Sequence, residues 1–370
     1  MIPKKLKLIW MPYLATPLRI KICEELQNYM AAKFLFFDEV GNRPTWWRYP
    51  LNPDSLILEN VLFKKQSKYL TISHIRILND FNPDVVVVPG FTNPTNFITY
   101  IWCKIRGKKI VVFTERLRDV NGKLRKLTGV WRIIRFFYRN IDLVMAAADD
   151  AVPQLRDEFK FGDKVVASTY GFMIDDYLDH KPRKLQKDVV KIIFPNRLTQ
   201  IYNPIAAIDI LAGLQNEYSN VVMSMNAEGE LRKDCEQRIL ELNLQDRITF
   251  LGDIKGWEDL ANIYAAHDIM ILPANFSNGN FTIYEAMASG MGIIISDKVL
   301  GNGQEIENGV NGFNLELDVA NFVLAIKKYI NNPALLDQHV KINKERCKKY
   351  GVKETAKLYF EQLSSLFENK

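Results

Sequence analysis

Groups that build metal centres and crosslinks are scarce in this chain of 370 residues. Its four cysteines, Cys23, Cys103, Cys235 and Cys347, stand far apart with no C-x-x-C pair. That spacing argues against a zinc knuckle or disulfide framework and fits a reducing compartment. The four histidines, His74, His180, His267 and His339, share no metal-ligand spacing, so no metal or other cofactor is expected. No stretch approaches the roughly 20 apolar residues of a membrane-spanning helix. A strong excess of one charge is also missing: 49 Lys and Arg against 43 Asp and Glu leave a net charge of +6, which gives no reason to expect a nucleic-acid partner. Neither an internal repeat nor a low-complexity tract occurs.

What is present has the composition of a globular protein, 48% hydrophobic and 25% charged. The length exceeds a single core and implies two domains. The start, Lys4-Lys5-Leu6 onward, superficially resembles a signal peptide, but Pro12 and Arg19 interrupt it and a first strand fits better. Strands and helices then alternate: Leu6–Met11 strand, Leu18–Tyr29 helix, Asp84–Pro89 strand, Asn96–Ile105 helix, Lys109–Phe113 strand and Ala151–Phe159 helix. Polar residues dominate 176–188, the expected linker between domains 1–175 and 189–345. A second series follows, ending in three helices, of which residues 346–370 are expected to cross back to the first domain. This order predicts an α/β protein with two doubly wound, Rossmann-like parallel sheets facing across a cleft, with ligands outside the carboxyl ends of the strands.

Residues 269–313 carry the most chemistry. A buried strand, Ile269–Leu272, runs through Pro273 into a polar turn holding Gly279, and a short helix follows with Glu285 in its second turn. Such a turn directs backbone N–H groups and a positive helix end at one point, which suits a phosphate. Glu285 lies within reach of sugar hydroxyls attached to that phosphate, so a nucleotide-sugar site is the natural reading.

Several motifs in register make the second half resemble the retaining glycosyltransferases of family four (glycosyl transferases group 1), which have the two-domain GT-B fold. They are Phe194-Pro-Asn-Arg197-Leu, Gly229-Glu-Leu231, Asp246-Arg-Ile-Thr-Phe-Leu-Gly252, Ile263-Tyr-Ala-Ala-His-Asp268, Tyr284-Glu285-Ala-Met-Ala-Ser-Gly290, Gln304-Glu305-Ile and Asn308-Gly-Val-Asn-Gly312. The resemblance implies that Arg197 contacts the donor diphosphate and Glu285 the ribose. It places the turn Ser277, Asn278, Gly279 and Asn280, and the helix start Phe281, Thr282 and Ile283, at the phosphates and sugar. Backbone at Phe250, Leu251, Gly252 and Asp253 reads the base, and Glu305 lies close to the donor. It further implies a UDP- or GDP-linked donor, retention of configuration, no obligatory metal, and a glycan acceptor in cell-envelope polysaccharide assembly (O-antigen or capsule).

The chain departs from the family at four places. Ser277 stands where a glutamate meets the transferred sugar, and Tyr202 where a lysine follows the arginine. Pro12–Pro17 replaces a glycine-rich turn, and Glu115 occupies the position of a histidine, making it a candidate catalytic group on the acceptor side. Two alternatives stay open: a catalytically impaired subunit that keeps the fold for binding or scaffolding, and a sugar-nucleotide epimerase. Finally, residues 121–140 hold Lys123, Arg125, Lys126, Arg132, Arg135 and Arg139 among aromatic and aliphatic neighbours, with no acid. That pattern suits an anionic membrane surface and a lipid-linked acceptor, with the protein cytoplasmic and peripheral on the inner face. A packed helix with solvated basic residues is the other reading.

Overall fold

The structure, a computed structural model, describes residues 5–41, 47–65, 68–118, 123–179, 188–252, 254–277, 281–300, 303 and 305–368. Asn278, Gly279, Asn280, Asp253, Gln304 and His180 therefore lie outside the described residues, as does most of the expected linker.

The chain divides into two units, residues 1–171 with 352–370, and residues 172–351. In chain order the first contains β1 (Lys7–Trp10), α1 (Pro17–Tyr29), β2 (Ala31–Phe36), β3 (Ser55–Ile57), β4 (Phe63–Lys65), β5 (Lys68–Leu70), α2 (His74–Phe81), β6 (Val85–Pro89), α3 (Pro94–Ile105), β7 (Lys109–Thr114), α4 (Val130–Phe137), β8 (Leu143–Ala146), α5 (Ala151–Pro153) and β9 (Val165–Ala167). A π-helix over Gln154–Glu158 continues α5, so the helix expected at 151–159 is wider and shorter than a regular one. The second contains α6 (Asp175–Leu178), β10 (Val190–Phe194), α7 (Pro204–Ala212), β11 (Val221–Met225), α8 (Arg232–Glu241), β12 (Ile248–Phe250), α9 (Trp257–Ala265), β13 (Ile269–Leu272), α10 (Phe281–Ser289), β14 (Gly292–Ser296), β15 (Phe313–Leu315), α11 (Val319–Asn331) and α12 (Pro333–Cys347). The last helix, α13 (Val352–Glu368), belongs to the first unit.

Each unit is built on one parallel sheet, ordered β3-β2-β1-β6-β7-β8-β9 in the first and β12-β11-β10-β13-β14-β15 in the second. Strands such as Val85–Pro89 and Gly292–Ser296 are buried along their whole length, as strands covered on both faces must be. In the first unit α1 and α13 pack one face through Ile20, Leu26, Tyr359 and Leu363, and the other face carries Leu78, Tyr100 and Cys103 from α2 and α3. In the second unit α7 and α11 cover one face, and α9, α10 and Cys347 the other. Helix starts follow a repeated rule, a polar cap ahead of proline: Thr16–Pro17, Asn93–Pro94 and Asn332–Pro333.

The boundary falls at Gly171–Phe172, ahead of the expected linker start at 176. Phe172, Ile174 and Tyr177 are the reason: all three are buried among Tyr264, Ile283 and Tyr284 of the second unit. The polar composition of the segment hid an apolar series spaced two and three apart. The antiparallel hairpin β4–β5, carrying Lys64, Lys65 and Lys68, is another feature the sequence reading lacks, and so is α2.

In the second sheet the strand order reverses between β10 and β13. At such a switch point the loops leaving neighbouring strands part and open a crevice at their carboxyl ends. Residues 195–203 and 273–277 lie in those two loops.

Candidate functional site

Arg197 stands three residues beyond β10. It is exposed; its carbonyl accepts from the Thr199 N–H at 2.8 Å, and its guanidinium forms no ion pair or hydrogen bond among the described residues. Its loop is held by Gly229. The Leu198 N–H donates to the Glu228 carbonyl at 2.7 Å, and the Leu231 N–H to the Leu198 carbonyl at 2.9 Å. The two backbones approach so closely that a Cβ on Gly229, at φ +148°, would lie 2.3 Å from the Leu198 oxygen. Only glycine fits there.

On the other side of the switch point, Ser277 is buried and tied by its backbone to the next turn. Its N–H reaches the Lys298 carbonyl at 3.2 Å, and its carbonyl accepts from Leu300 at 2.9 Å. Its amide is therefore committed to the protein. Phe281 opens α10 half exposed, with its ring edge-on to Phe172. The Thr282 hydroxyl faces Asn196 Oδ1 at 3.4 Å, and Ile283 is buried. The opening N–H groups of a helix have no acceptor inside it, so this end is oriented for an anion.

Glu285 is half-buried on α10, yet its neighbourhood is dense enough that burial pushes its carboxyl up to about 7. The hydroxyls of Tyr264 and Tyr177 act in the opposite sense. Neither tyrosine figured in the sequence reading. Tyr264 sits inside the quoted motif 263–268, where it could have been noticed, whereas Tyr177 lay in the supposed linker.

At the edge strand, the Leu251 N–H is given to the Met225 carbonyl at 2.8 Å, so it cannot also read a base. Gly252 is exposed, and the Phe250 ring lies beneath the Arg232 guanidinium, 3.4 Å from its carbon. Glu305 is already engaged: the Tyr350 hydroxyl donates to it, and Lys349 Nζ stands 3.5 Å away. Asn311 and Arg346 hold its carbonyl, which fixes the loop. Among the described residues no three His, Cys, Asp or Glu side chains gather as a metal site would require.

Glu115 belongs to the first unit, just past β7, and is exposed. Its partner is the Tyr170 hydroxyl at 2.6 Å; Arg116, one residue on, pairs instead with Asp150 at 3.3 Å. Within the basic segment Val130–Phe137 forms a helix, α4, with no buried residue; Arg132 and Arg135 lie on it, Lys123, Arg125 and Lys126 precede it and Arg139 follows it. Val130, Ile133, Phe136 and Phe137 are about half exposed or more, at 61, 58, 57 and 47%. Three of the basic residues have local duties. Arg135 donates to the carbonyls of Phe159 and Lys160 at 2.8 and 2.7 Å, Arg125 reaches the Arg118 carbonyl at 3.2 Å, and Arg132 the Leu127 carbonyl at 3.3 Å. Lys123, Lys126, Arg132 and Arg139 are exposed.

Comparison with known proteins places these features. A lipopolysaccharide 1,6-galactosyltransferase of Escherichia coli (strain K12) is 30% identical over 124 residues, 33% of this chain and 34% of that protein. A UDP-Gal:alpha-D-GlcNAc-diphosphoundecaprenol alpha-1,3-galactosyltransferase of Escherichia coli is 31% identical over 111 residues, 29% of this chain and 27% of that protein. The matches thus span about a third or less of the relatives' own lengths. The crystal structure of a glycosyltransferase from Rickettsia africae ESF-5 superposes with a TM-score of 0.74 at 16% identity, covering 99% of this chain and 100% of that one, so the GT-B fold is shared. Residues 176–353, just under half of the chain, match the family described as Glycosyl transferases group 1.

Proposed function

We propose that the chain transfers a sugar from a UDP- or GDP-linked donor to a glycan acceptor carried on a lipid, with retention of configuration and without an obligatory metal. The setting is cell-envelope polysaccharide assembly at the inner face of the cytoplasmic membrane. The observation that carries the reading is the placement at one switch point of an exposed guanidinium, Arg197, with no partner among the described residues, and a half-buried carboxyl, Glu285. In this reading Arg197 and the start of α10 meet the diphosphate, supplying the positive charge that stabilises it as it departs. Glu285 accepts hydrogen bonds from the ribose. The names of the two Escherichia coli relatives, one of which includes a diphosphoundecaprenol acceptor, support the substrate class.

Titration calorimetry with UDP and GDP tests the reading. Glu285→Gln is expected to weaken nucleotide binding by roughly tenfold or more, since a hydrogen bond to a charged group is lost. The same variant should be more stable than wild type without ligand at alkaline pH. The folded value of about 7 lies above the ordinary 4.5, so Glu285 adds stability below pH 4.5 that is lost as pH rises through 7. Glutamine keeps the neutral form throughout. Wild-type nucleotide affinity in the variant would remove Glu285 from the site.

For the membrane, α4 offers an apolar stripe of Val130, Ile133, Phe136 and Phe137 flanked by Arg132 and Arg139. Each basic residue near anionic headgroups contributes about 1 kcal/mol. Arg132→Glu with Arg139→Glu is therefore expected to reduce co-sedimentation with phosphatidylglycerol vesicles at least about tenfold. Arg135 is left intact in this test because it holds the 159–160 carbonyls. Unchanged co-sedimentation would remove membrane contact by α4.

A further inference from the structure

Two phenols stand close to the Glu285 carboxyl. Tyr177 comes from α6 and Tyr264 from α9, and both helices pack against α10. The two residues are 2% and 1% exposed, with ring centroids 5.6 Å apart in an edge-to-face arrangement. The Tyr177 hydroxyl is enclosed and completes no well-formed hydrogen bond among the described residues, although it bears on Glu285 together with Tyr264. Burying a hydroxyl without a full partner is unfavourable, and its retention calls for an explanation.

We propose that Tyr177 and Tyr264 are positioning residues for Glu285: their hydroxyls donate to the carboxylate and orient it, leaving its remaining lone pairs for the vicinal hydroxyls of a nucleotide's ribose. The inference rests on Glu285 being the ribose anchor. Burial raises both phenols well above their ordinary value, so both remain protonated and able to donate at neutral pH. A carboxylate accepts at both oxygens, so a donor on one side leaves capacity for a ligand on the other. The hydroxyls also offset part of the burial that lifts Glu285 to about 7, which keeps a share of it ionised near neutrality. Asp176 acts on Tyr177, Lys344 of α12 reaches the Leu178 carbonyl, Cys347 packs in the same cluster, and β14 carries no titratable side chain.

The test is UDP affinity across a pH series spanning 7, for wild type, Tyr177→Phe, Tyr264→Phe and Glu285→Gln. Phenylalanine keeps each ring in its packing, and thermal melting checks that the fold survives. The Glu285→Gln profile contains the titration of the nucleotide itself and serves as the baseline. Above that baseline, wild-type affinity is expected to fall on the acid side of about 7. Losing one hydrogen bond to the charged form should move that fall upward by about one pH unit, with near wild-type affinity restored at alkaline pH. Rings that merely fill space would leave the midpoint in place, and a midpoint unchanged in both phenylalanine variants overturns the inference alone. Wild-type affinity in Glu285→Gln, with no acid-side loss above baseline, overturns the ribose-anchor reading and the inference with it.

Discussion

Arg197→Ala is expected to lower sugar transfer by about 10²–10³-fold, the usual loss when a single charge-stabilising group is removed from a reaction centre. The guanidinium is exposed and bound to nothing among the described residues, so its removal breaks no structural contact. Melting should stay within about 0.5 kcal/mol of wild type, as for other surface substitutions. Arg197→Lys would restore the charge without the planar fork that matches phosphate oxygens, and only partial recovery is expected. The measurement is turnover of whichever UDP- or GDP-sugar the wild type accepts, alongside a melting curve. A wild-type rate in Arg197→Ala would show that the diphosphate is held elsewhere.

Gly229→Ala acts on stability rather than chemistry. The added Cβ would sit 2.3 Å from the Leu198 oxygen and 2.5 Å from the Leu198 nitrogen, far inside contact distance and against backbone that no rotamer change can move. The left-handed φ of +148° adds strain of its own. Overpacking and backbone strain each cost about 1–3 kcal/mol. Together, at about 2–6 kcal/mol, they should lower the melting temperature of the second unit by roughly 4–24 °C, taking 2–4 °C per kcal/mol for a unit of this size. Because Leu198 follows Arg197 directly, the displaced loop should also weaken nucleotide binding. A melting curve within 1–2 °C of wild type, roughly the size of a surface substitution, would mean that the loop yields easily.

Buried parallel strands announce themselves by unbroken apolar runs, so β6, β7 and β13 were readable to within a residue or two. The short strands β3, β4 and β5 were not, since three residues rich in lysine or serine carry no periodic signal. In the candidate site, Arg197 and Glu285 were legible because motif spacing placed them at strand ends. Tyr177 was not, because its burial depends on packing between α6, α9 and α10, which lie far apart in the chain. The commitments of the Leu251 amide to Met225 and of Glu305 to Tyr350 were equally hidden, since each partner is tens of residues away.

The return of α13 to the first unit has a bearing on biogenesis. Ala356, Tyr359 and Leu363 complete a face of the first sheet, beside Trp10 and Phe113, yet they are synthesised after the whole of the second unit. A nascent chain emerging from the ribosome therefore holds the amino-terminal sheet with that side covered by α1 alone while the contiguous segment 172–351 is synthesised. The second unit is complete before the first, against the usual amino-to-carboxyl order.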